Sequence, residues 1–169
     1  MTLFLPHLIL FFGVAGVGKS FAGREIGLRS GYYHYELDQD LTAAMLKAIS
    51  NQEPFTDAMR DEFFEVVQRR IQEVSVQYPK SIFTQGAYRE KHRALLRERI
   101  SGLECVWVQA PSDVVIERLR KRGESVSVDY AALIERNFEA PTTGKILLND
   151  RCSGDELHRR FLRLYARSA

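Results

Sequence analysis

The chain has 169 residues, of which 45% are hydrophobic and 27% are charged, and its formal net charge is +2. This is ordinary globular composition, which argues against disordered and fibrous classes, and so small a charge gives no argument for nucleic-acid or membrane binding. The two cysteines lie far apart in the sequence with no histidine cluster nearby, so a zinc site or a disulfide framework has no support.

Short apolar segments alternate along the chain with longer segments of helical period. Strands are predicted at residues 8–12, 32–37, 81–84, 104–108 and 145–148. Helices are predicted at residues 19–29, 40–50, 57–78, 88–100, 112–121, 129–138 and 154–166. This alternation predicts a parallel sheet covered by helices on both faces, with ligands bound beyond the carboxyl ends of the strands.

No linker, repeat or low-complexity segment interrupts this pattern, so residues 1–169 are predicted to form one domain. The apolar N-terminus lacks the basic start of a signal peptide and runs directly into a glycine-rich loop. No apolar run reaches the roughly 18 residues that a membrane span needs. We expect a cytoplasmic protein with reduced thiols.

The glycine-rich loop is residues 13–20, Gly-Val-Ala-Gly-Val-Gly-Lys-Ser, and it lies between a predicted strand and a predicted helix. Its glycines allow successive backbone N–H groups to point at a phosphate, as in a Walker A motif, and the helix dipole assists them. Lys19 would bind the outer phosphates of ATP, and Ser20 would bind the accompanying Mg²⁺. The alternative is a glycine-rich turn that binds nothing. The predicted nucleotide-binding residues of this segment are Gly13, Val14, Ala15, Gly16, Val17, Gly18, Lys19, Ser20 and Phe21.

Two carboxylates, Asp38 and Asp40, follow the second predicted strand. Either residue could order Mg²⁺ through water or accept the proton of an attacking hydroxyl, and Asp40 could instead only cap the next helix. The third strand ends without the aspartate that many phosphate-loop hydrolases use for the metal. This absence favours a kinase that positions magnesium with Ser20 and Asp38.

Arginines supply the other candidate site residues. Arg60 lies in the first turn of a predicted helix, where it could clamp an anionic or polyhydroxylated substrate or form a surface pair with Asp57. Arg118 and Arg122 share one helix face and lead into a predicted lid at about residues 122–130. They would close over the transferring phosphate, or they would form only a solvated basic helix end. The four histidines are interpreted as structural or surface residues.

Several segments resemble the small phosphate-loop kinases, most closely the gluconate kinase branch beside shikimate kinase. The loop at 13–20 is typical of that branch, and Leu-Asp-Gln-Asp at 37–40 is similar to its Asp-Gly-Asp. Glu-Pro-Phe-Thr-Asp-Ala-Met-Arg at 53–60 matches its Glu-Pro-Leu-Thr-Asp-x-x-Arg. Further similar segments are 87–97, 113–122 and 138–141.

This resemblance implies a three-layer α/β/α phosphate-loop NTPase fold of the nucleoside-monophosphate-kinase type, with a five-stranded parallel sheet and a small lid. It implies ATP- and Mg²⁺-dependent phosphorylation of a hydroxyl on a small, anionic sugar acid such as gluconate. Asp38 would be the base, Arg118 would lie along the adenine and Arg122 would reach the phosphates. The implied catalytic residues are Lys19, Asp38 and Arg122, and the implied acceptor-binding residues are Asp38, Arg60, Gly86 and Arg89.

The sequence departs from the branch at acceptor and lid positions. Gln39 replaces the glycine between the aspartates, the histidine usual after them is missing, and no His-Phe pair follows Arg122. Other acceptors therefore stay open, namely shikimate, a nucleoside, an antibiotic hydroxyl or a nucleic-acid 5′ end. A regulatory nucleotide-binding protein without an acceptor site also stays open, as does a homodimer.

Overall fold

The computed structural model describes residues 4–122 and 128–166, without the side chains of Arg122, Val128, Tyr130 and Ile134. Its strands are β1 (Leu8–Phe12), β2 (Tyr33–Glu36), β3 (Ser81–Gln85), β4 (Leu103–Gln109) and β5 (Lys145–Leu148). Its α-helices are α1 (Lys19–Ser30), α2 (Ala43–Ser50), α3 (Asp57–Gln77), α4 (Glu90–Arg99), α5 (Ser112–Arg122), α6 (Val128–Glu135) and α7 (Gly154–Arg163). A 3-10 helix spans Leu37–Asp40.

Within these described ranges the strands form one parallel sheet in the order β2-β3-β1-β4-β5. Successive side chains of a strand point to opposite faces, so both faces carry apolar residues and both are covered by helices. Ile9 and Phe11 of β1 pack with α1 and α7 residues such as Ile26 and Phe161. Leu10 and Phe12 belong to the opposite core, which holds the apolar residues Phe63, Val67 and Ile71 of α3 and Leu96 of α4. The predicted α/β fold is confirmed.

The register places the functional loops at one edge of the sheet. Phe12, the last residue of β1, lies opposite Gln85 of β3 and Trp107 of β4. The glycine-rich loop therefore starts beside the turn that follows β3. Parallel strands impose this arrangement because all their carboxyl ends meet at the same edge.

Hydroxyl side chains cap the starts of several helices. The hydroxyls of Thr56 and Ser153 accept the N–H groups of Met59 and Glu156, each at 3.2 Å. The helix predicted at 40–50 was wrong at its start, because residues 37–40 are 3-10 helix and α2 begins after its own cap, Thr42. The helices predicted at 88–100, 129–138 and 154–166 are also shorter, as the bounds of α4, α6 and α7 show. In the described part of the chain, none of the helices has the length and apolar character to cross a membrane.

Candidate active site

The glycine-rich loop takes backbone conformations that other residues rarely adopt at three positions, Gly13, Gly16 and Gly18. Gly16 and Gly18 have φ angles of 84° and 85°. A Cβ at Gly18 would lie 2.3 Å from Nδ2 of Asn149, and one at Gly16 would lie 2.9 Å from Cγ1 of Val115. The loop is thus fixed by α5 and by the end of β5, which holds its backbone in one shape.

Lys19 and Ser20 lie at the point where the glycine-rich loop ends and helix α1 begins. Helix α1 begins at Lys19, and its N-cap, Gly18, has no side chain that could satisfy the first N–H groups. An anion is the natural partner of such groups. The Lys19 Nζ donates hydrogen bonds to the carbonyls of Gly13 and Val14, both at 2.9 Å, so the ammonium lies over the first half of the loop.

Arg118 ties the loop to the end of β5. Its Nη1 donates to the carbonyls of Val17 at 3.0 Å and Asn149 at 3.1 Å, and its Nη2 donates to that of Asp150 at 2.8 Å. Asn149 Nδ2 also donates to the Val17 carbonyl, at 2.8 Å. Arg118 therefore supports the shape of the loop.

The carboxylate of Asp38 is held by a side chain from the neighbouring strand. The Gln85 Nε2 donates to Asp38 Oδ1 at 3.0 Å, while its Oε1 accepts the backbone N–H of Ala87 at 2.5 Å. Asp38 is thereby oriented at the sheet edge next to the turn after β3. Gln85 makes this link because it is the last residue of β3, beside the 3-10 helix that carries Asp38.

Asp40 has a structural role instead. Its two carboxylate oxygens accept from Arg70 of α3, with contacts of 2.9 and 3.1 Å, and Tyr35 donates to Oδ2 at 3.0 Å. It does not cap the following helix, because Thr42 does so. The contacts of Asp40 connect β2 to α3. Asp38 is therefore the exposed carboxylate of the 3-10 helix at Leu37–Asp40.

Arg60 is buried although arginine is usually exposed. Only 5% of it is accessible, its Nη1 donates to the Phe55 carbonyl at 2.5 Å, and Asp57 Oδ1 lies 3.5 Å from the same nitrogen. Nη2 is buried without a hydrogen-bond partner among the described residues. Burial, and next the charge of Arg89, lower the pKa of Arg60. A guanidinium in this state gains from an anionic ligand.

The turn after β3 carries the other predicted acceptor residues, Gly86 and Arg89. A Cβ on Gly86 would lie 2.4 Å from the Tyr88 ring, and the Gly86 carbonyl accepts the Gly13 N–H at 3.3 Å. Burial raises the pKa of Tyr88 to about 12, against a smaller lowering by a hydrogen bond with the backbone of Ala15. Two contacts therefore connect this turn to the glycine-rich loop.

Arg89 lies on the solvent side of the same turn. Its Nη1 donates to Glu139 Oε1 at 2.9 Å, and its Nη2 lies 3.5 Å from Asp57 Oδ1. The hydrogen bond from the Glu90 N–H and, to a lesser extent, the ion pair with Arg89 lower the pKa of Glu139, while burial opposes them. Arg60 and Arg89 thus share Asp57 as a distant counter-ion.

The structure brings the predicted residues of the loop, Asp38, Arg60, Gly86, Arg89 and Arg118 to the carboxyl edge of the sheet. The side chain of Arg122 and residues 123–127 of the predicted lid lie outside the described residues. Sequence reasoning assigned no role to Gln85, Tyr88 or Asn149. Their positions at or just after the carboxyl ends of β3 and β5 were the available signal.

The structure combines a glycine-rich loop suited to anion binding, a lysine at the start of the helix that follows it, and a parallel sheet of strand order β2-β3-β1-β4-β5. This combination defines a phosphate-loop protein with the fold of the small kinases. A family model described as an AAA domain matches residues 8–141. The chain belongs to this family. No match is found among curated proteins.

Solved structures of kinases share the fold. A gluconokinase from Sinorhizobium meliloti 1021 superposes with a TM-score of 0.79 at 23% identity, covering 95% of this chain and 91% of that one. A sugar kinase from Janibacter sp. HTCC2649 gives 0.80 at 20% identity, with coverages of 95% and 94%. The APS kinase of Mycobacterium tuberculosis in complex with AMPPNP and APS gives 0.61 at 19% identity, with coverages of 94% and 97%. The expected resemblance to small phosphate-loop kinases is confirmed.

Proposed function

We propose that this protein is an ATP-dependent phosphotransferase that moves the γ-phosphate to a hydroxyl of a small anionic metabolite, with a sugar acid such as gluconate as the favoured acceptor. The buried Arg60, whose Nη2 has no partner among the described residues, carries the proposal. It lies on the acceptor side of a phosphate-binding loop, beside Arg89. A carboxylate of the acceptor would satisfy this donor and offset the cost of burying its charge.

In this proposal the chain's own groups position the reactants. The loop amides and Lys19 hold the β- and γ-phosphates, Arg118 lies against the adenine, and Arg122 approaches the transferring group from the lid. Asp38, oriented by Gln85, accepts the proton of the acceptor hydroxyl as its oxygen attacks phosphorus in line. Positioning and charge stabilisation supply most of the rate, because phosphoryl transfer needs little covalent help.

Magnesium would accompany the nucleotide. Among the described residues there is no cluster of three or more histidine, cysteine, aspartate or glutamate side chains that could hold a resident metal. The hydroxyl of Ser20 and the carboxylate of Asp38 are hard oxygen donors of the kind that Mg²⁺ prefers. When bound with ATP, the ion would neutralise charge on the phosphate oxygens.

A thermal-shift screen identifies the acceptor class. Sugar acids are added to the protein with a non-hydrolysable ATP analogue and magnesium. An acceptor at about 100 times its Kd should add about 2.7 kcal/mol of stability, since it binds only the folded state. Neutral sugars of the same size serve as the control. Stabilisation by neutral sugars alone would contradict an anionic acceptor.

Arg60→Met should weaken acceptor binding selectively. We expect the acceptor KM to rise about 10- to 100-fold, because one hydrogen bond between charged groups contributes about 1.5–3 kcal/mol. The KM for ATP should stay within about twofold, since uniform loss of acceptor binding leaves the nucleotide site unchanged. Arg99→Met, at the exposed end of α4, is the matched control. An equal rise in both KM values would contradict the assigned role.

Gln85→Glu should shift the pH dependence of turnover. A second carboxylate would lie within about 3 Å of Asp38, and repulsion between like charges raises the pKa of such a pair. The acidic limb of the kcat profile should therefore move to higher pH, so that kcat falls at pH values below the shifted limb. Gln85→Met, which removes the hydrogen bond without adding charge, should lower kcat and move the limb less than Gln85→Glu does. An unshifted limb in Gln85→Glu would exclude Asp38 as the base.

A further inference from the structure

His92 of α4 is buried between two helices and is not in the nucleotide site. It is 3% exposed, and its ring stacks on Phe64 of α3 with centroids 4.2 Å apart and an interplanar angle of 3°. Its Nε2 lies 2.7 Å from Asp61 Oδ1. A carboxylate accepts, so it favours the tautomer with the proton on Nε2, which leaves Nδ1 as an acceptor.

The Nδ1 of His92 has no hydrogen-bond partner among the described residues, and it is buried. Arg60 Nη2 is a buried donor in the same condition. Arg60 lies one turn before Phe64 on α3 and directly precedes Asp61, the two residues that contact His92. One unsatisfied acceptor and one unsatisfied donor therefore occupy the same end of the α3–α4 interface.

We propose that His92 is a positioning residue for Arg60. Its Nδ1 accepts, through one buried water, from one of the two N–H groups of Arg60 Nη2, which leaves the other N–H for the acceptor, while Asp61 fixes the ring tautomer. Buried polar groups are almost always paired, and such a bridge would satisfy both atoms at once. Nη1 is already held by the Phe55 carbonyl, so a second tether would fix the plane of the guanidinium before the acceptor arrives. The consequence for the acceptor rests on the function proposed above.

The electrostatics of the pair are consistent with this arrangement. Burial is the main cause that lowers the pKa of His92, Asp61 opposes it, and the charges of Lys91 and Arg60 lower it further. The ring is therefore neutral at pH 7 and keeps its acceptor lone pair. Protonation at lower pH would place a donor at Nδ1, facing another donor, and Asp61 would offset the added charge. Acceptor binding should thus weaken as the ring titrates.

Long-range ¹H–¹⁵N NMR spectra test the contact without any acceptor. The chain has four histidines, and His92→Gln identifies the signals of His92. We expect a neutral Nε2–H tautomer and a titration midpoint below about 6.5, the ordinary value. The midpoint should rise in both Arg60→Met and Arg60→Lys, because lysine keeps the charge but not the fixed geometry of the guanidinium. An Nδ1–H tautomer, or a wild-type midpoint in Arg60→Lys, would overturn the proposal.

Kinetics test the consequence for the acceptor. His92→Phe keeps the stacking on Phe64 but removes the Nδ1 acceptor. We expect the acceptor KM to rise about tenfold, because one hydrogen bond to a charged group is lost. The KM for ATP should stay unchanged. His92→Asn, whose amide oxygen replaces Nδ1, should recover most of the affinity. His158→Phe, on α7, is the matched control. Equal KM values in His92→Phe and wild type would overturn the positioning role. Absence of phosphotransfer to every acceptor would instead contradict the proposed function, and the NMR result would then decide this inference alone.

Discussion

Lys19→Met should abolish phosphotransfer while leaving a folded protein. We expect kcat to fall by about 10³-fold or more, because removing one preorganised charged donor from a phosphoryl-transfer site costs several kcal/mol. The reason is electrostatic: the ammonium already lies over the loop, 2.9 Å from two of its carbonyls, so it needs little rearrangement to meet a phosphate. The measurement is steady-state ADP formation at saturating ATP.

The same substitution has a predictable effect on stability. Loss of two hydrogen bonds to loop carbonyls should cost about 1–2 kcal/mol, which corresponds to a few degrees in Tm for a chain of this size. Lys47→Met, on the exposed face of α2, is the matched control and should change neither quantity. Turnover in Lys19→Met within about tenfold of wild type would show that the glycine-rich loop is not part of the catalytic site.

Arg93→Met should destabilise the protein more than any substitution of an exposed arginine. Arg93 is 0% exposed and lies in the core beside Phe12, 4.7 Å from the ring centroid. It donates to the carbonyls of Ala87 and Tyr88 at 2.6 and 3.2 Å, and also to that of Glu139. Removal leaves the buried Ala87 carbonyl unpaired and breaks the ion pair of Arg93 with Glu90 at 2.7 Å, so we expect the free energy of unfolding to fall by about 3–5 kcal/mol.

Chemical denaturation with circular dichroism measures this loss. Arg97→Met is the matched control, because Arg97 is on the same helix and also pairs with Glu90 but is 41% exposed. An exposed pair contributes less than about 1 kcal/mol. A similar loss of unfolding free energy in both variants would show that the burial and the carbonyl contacts of Arg93 do not add to the stability of the protein. Because the Ala87 and Tyr88 carbonyls belong to the turn that carries Arg89, the variant should also bind acceptor poorly.

The sheet and the nucleotide loop were predictable because their signals are local. Buried parallel strands appear as short apolar runs, and the glycines at 16 and 18 precede a lysine and a serine at a fixed spacing. The helix caps at Thr56 and Ser153 were likewise readable from single residues. Each of these features depends on a few neighbouring residues.

The acceptor side was less predictable because its contacts join residues far apart in the sequence. The hydrogen bond between Gln85 and Asp38 depends on a 3-10 helix at Leu37–Asp40, where the sequence predicted the end of a strand and the start of a helix only at residue 40. Arg93 and His92 are fully buried, yet arginine in particular is among the residue types that are usually exposed, so composition and periodicity place it on the surface. Only the packing of α3 against α4 reveals their roles.

Acceptor-dependent ADP release is the measurement that tests the proposed function most directly. Purified protein is given ATP, magnesium and one sugar acid at a time, and ADP is followed in a coupled assay. At least one acid should raise the rate about 100-fold above the acceptor-free ATPase rate, since a positioned hydroxyl gains a large effective concentration over water. Tight ATP binding without acceptor-dependent release from any sugar acid would contradict the account.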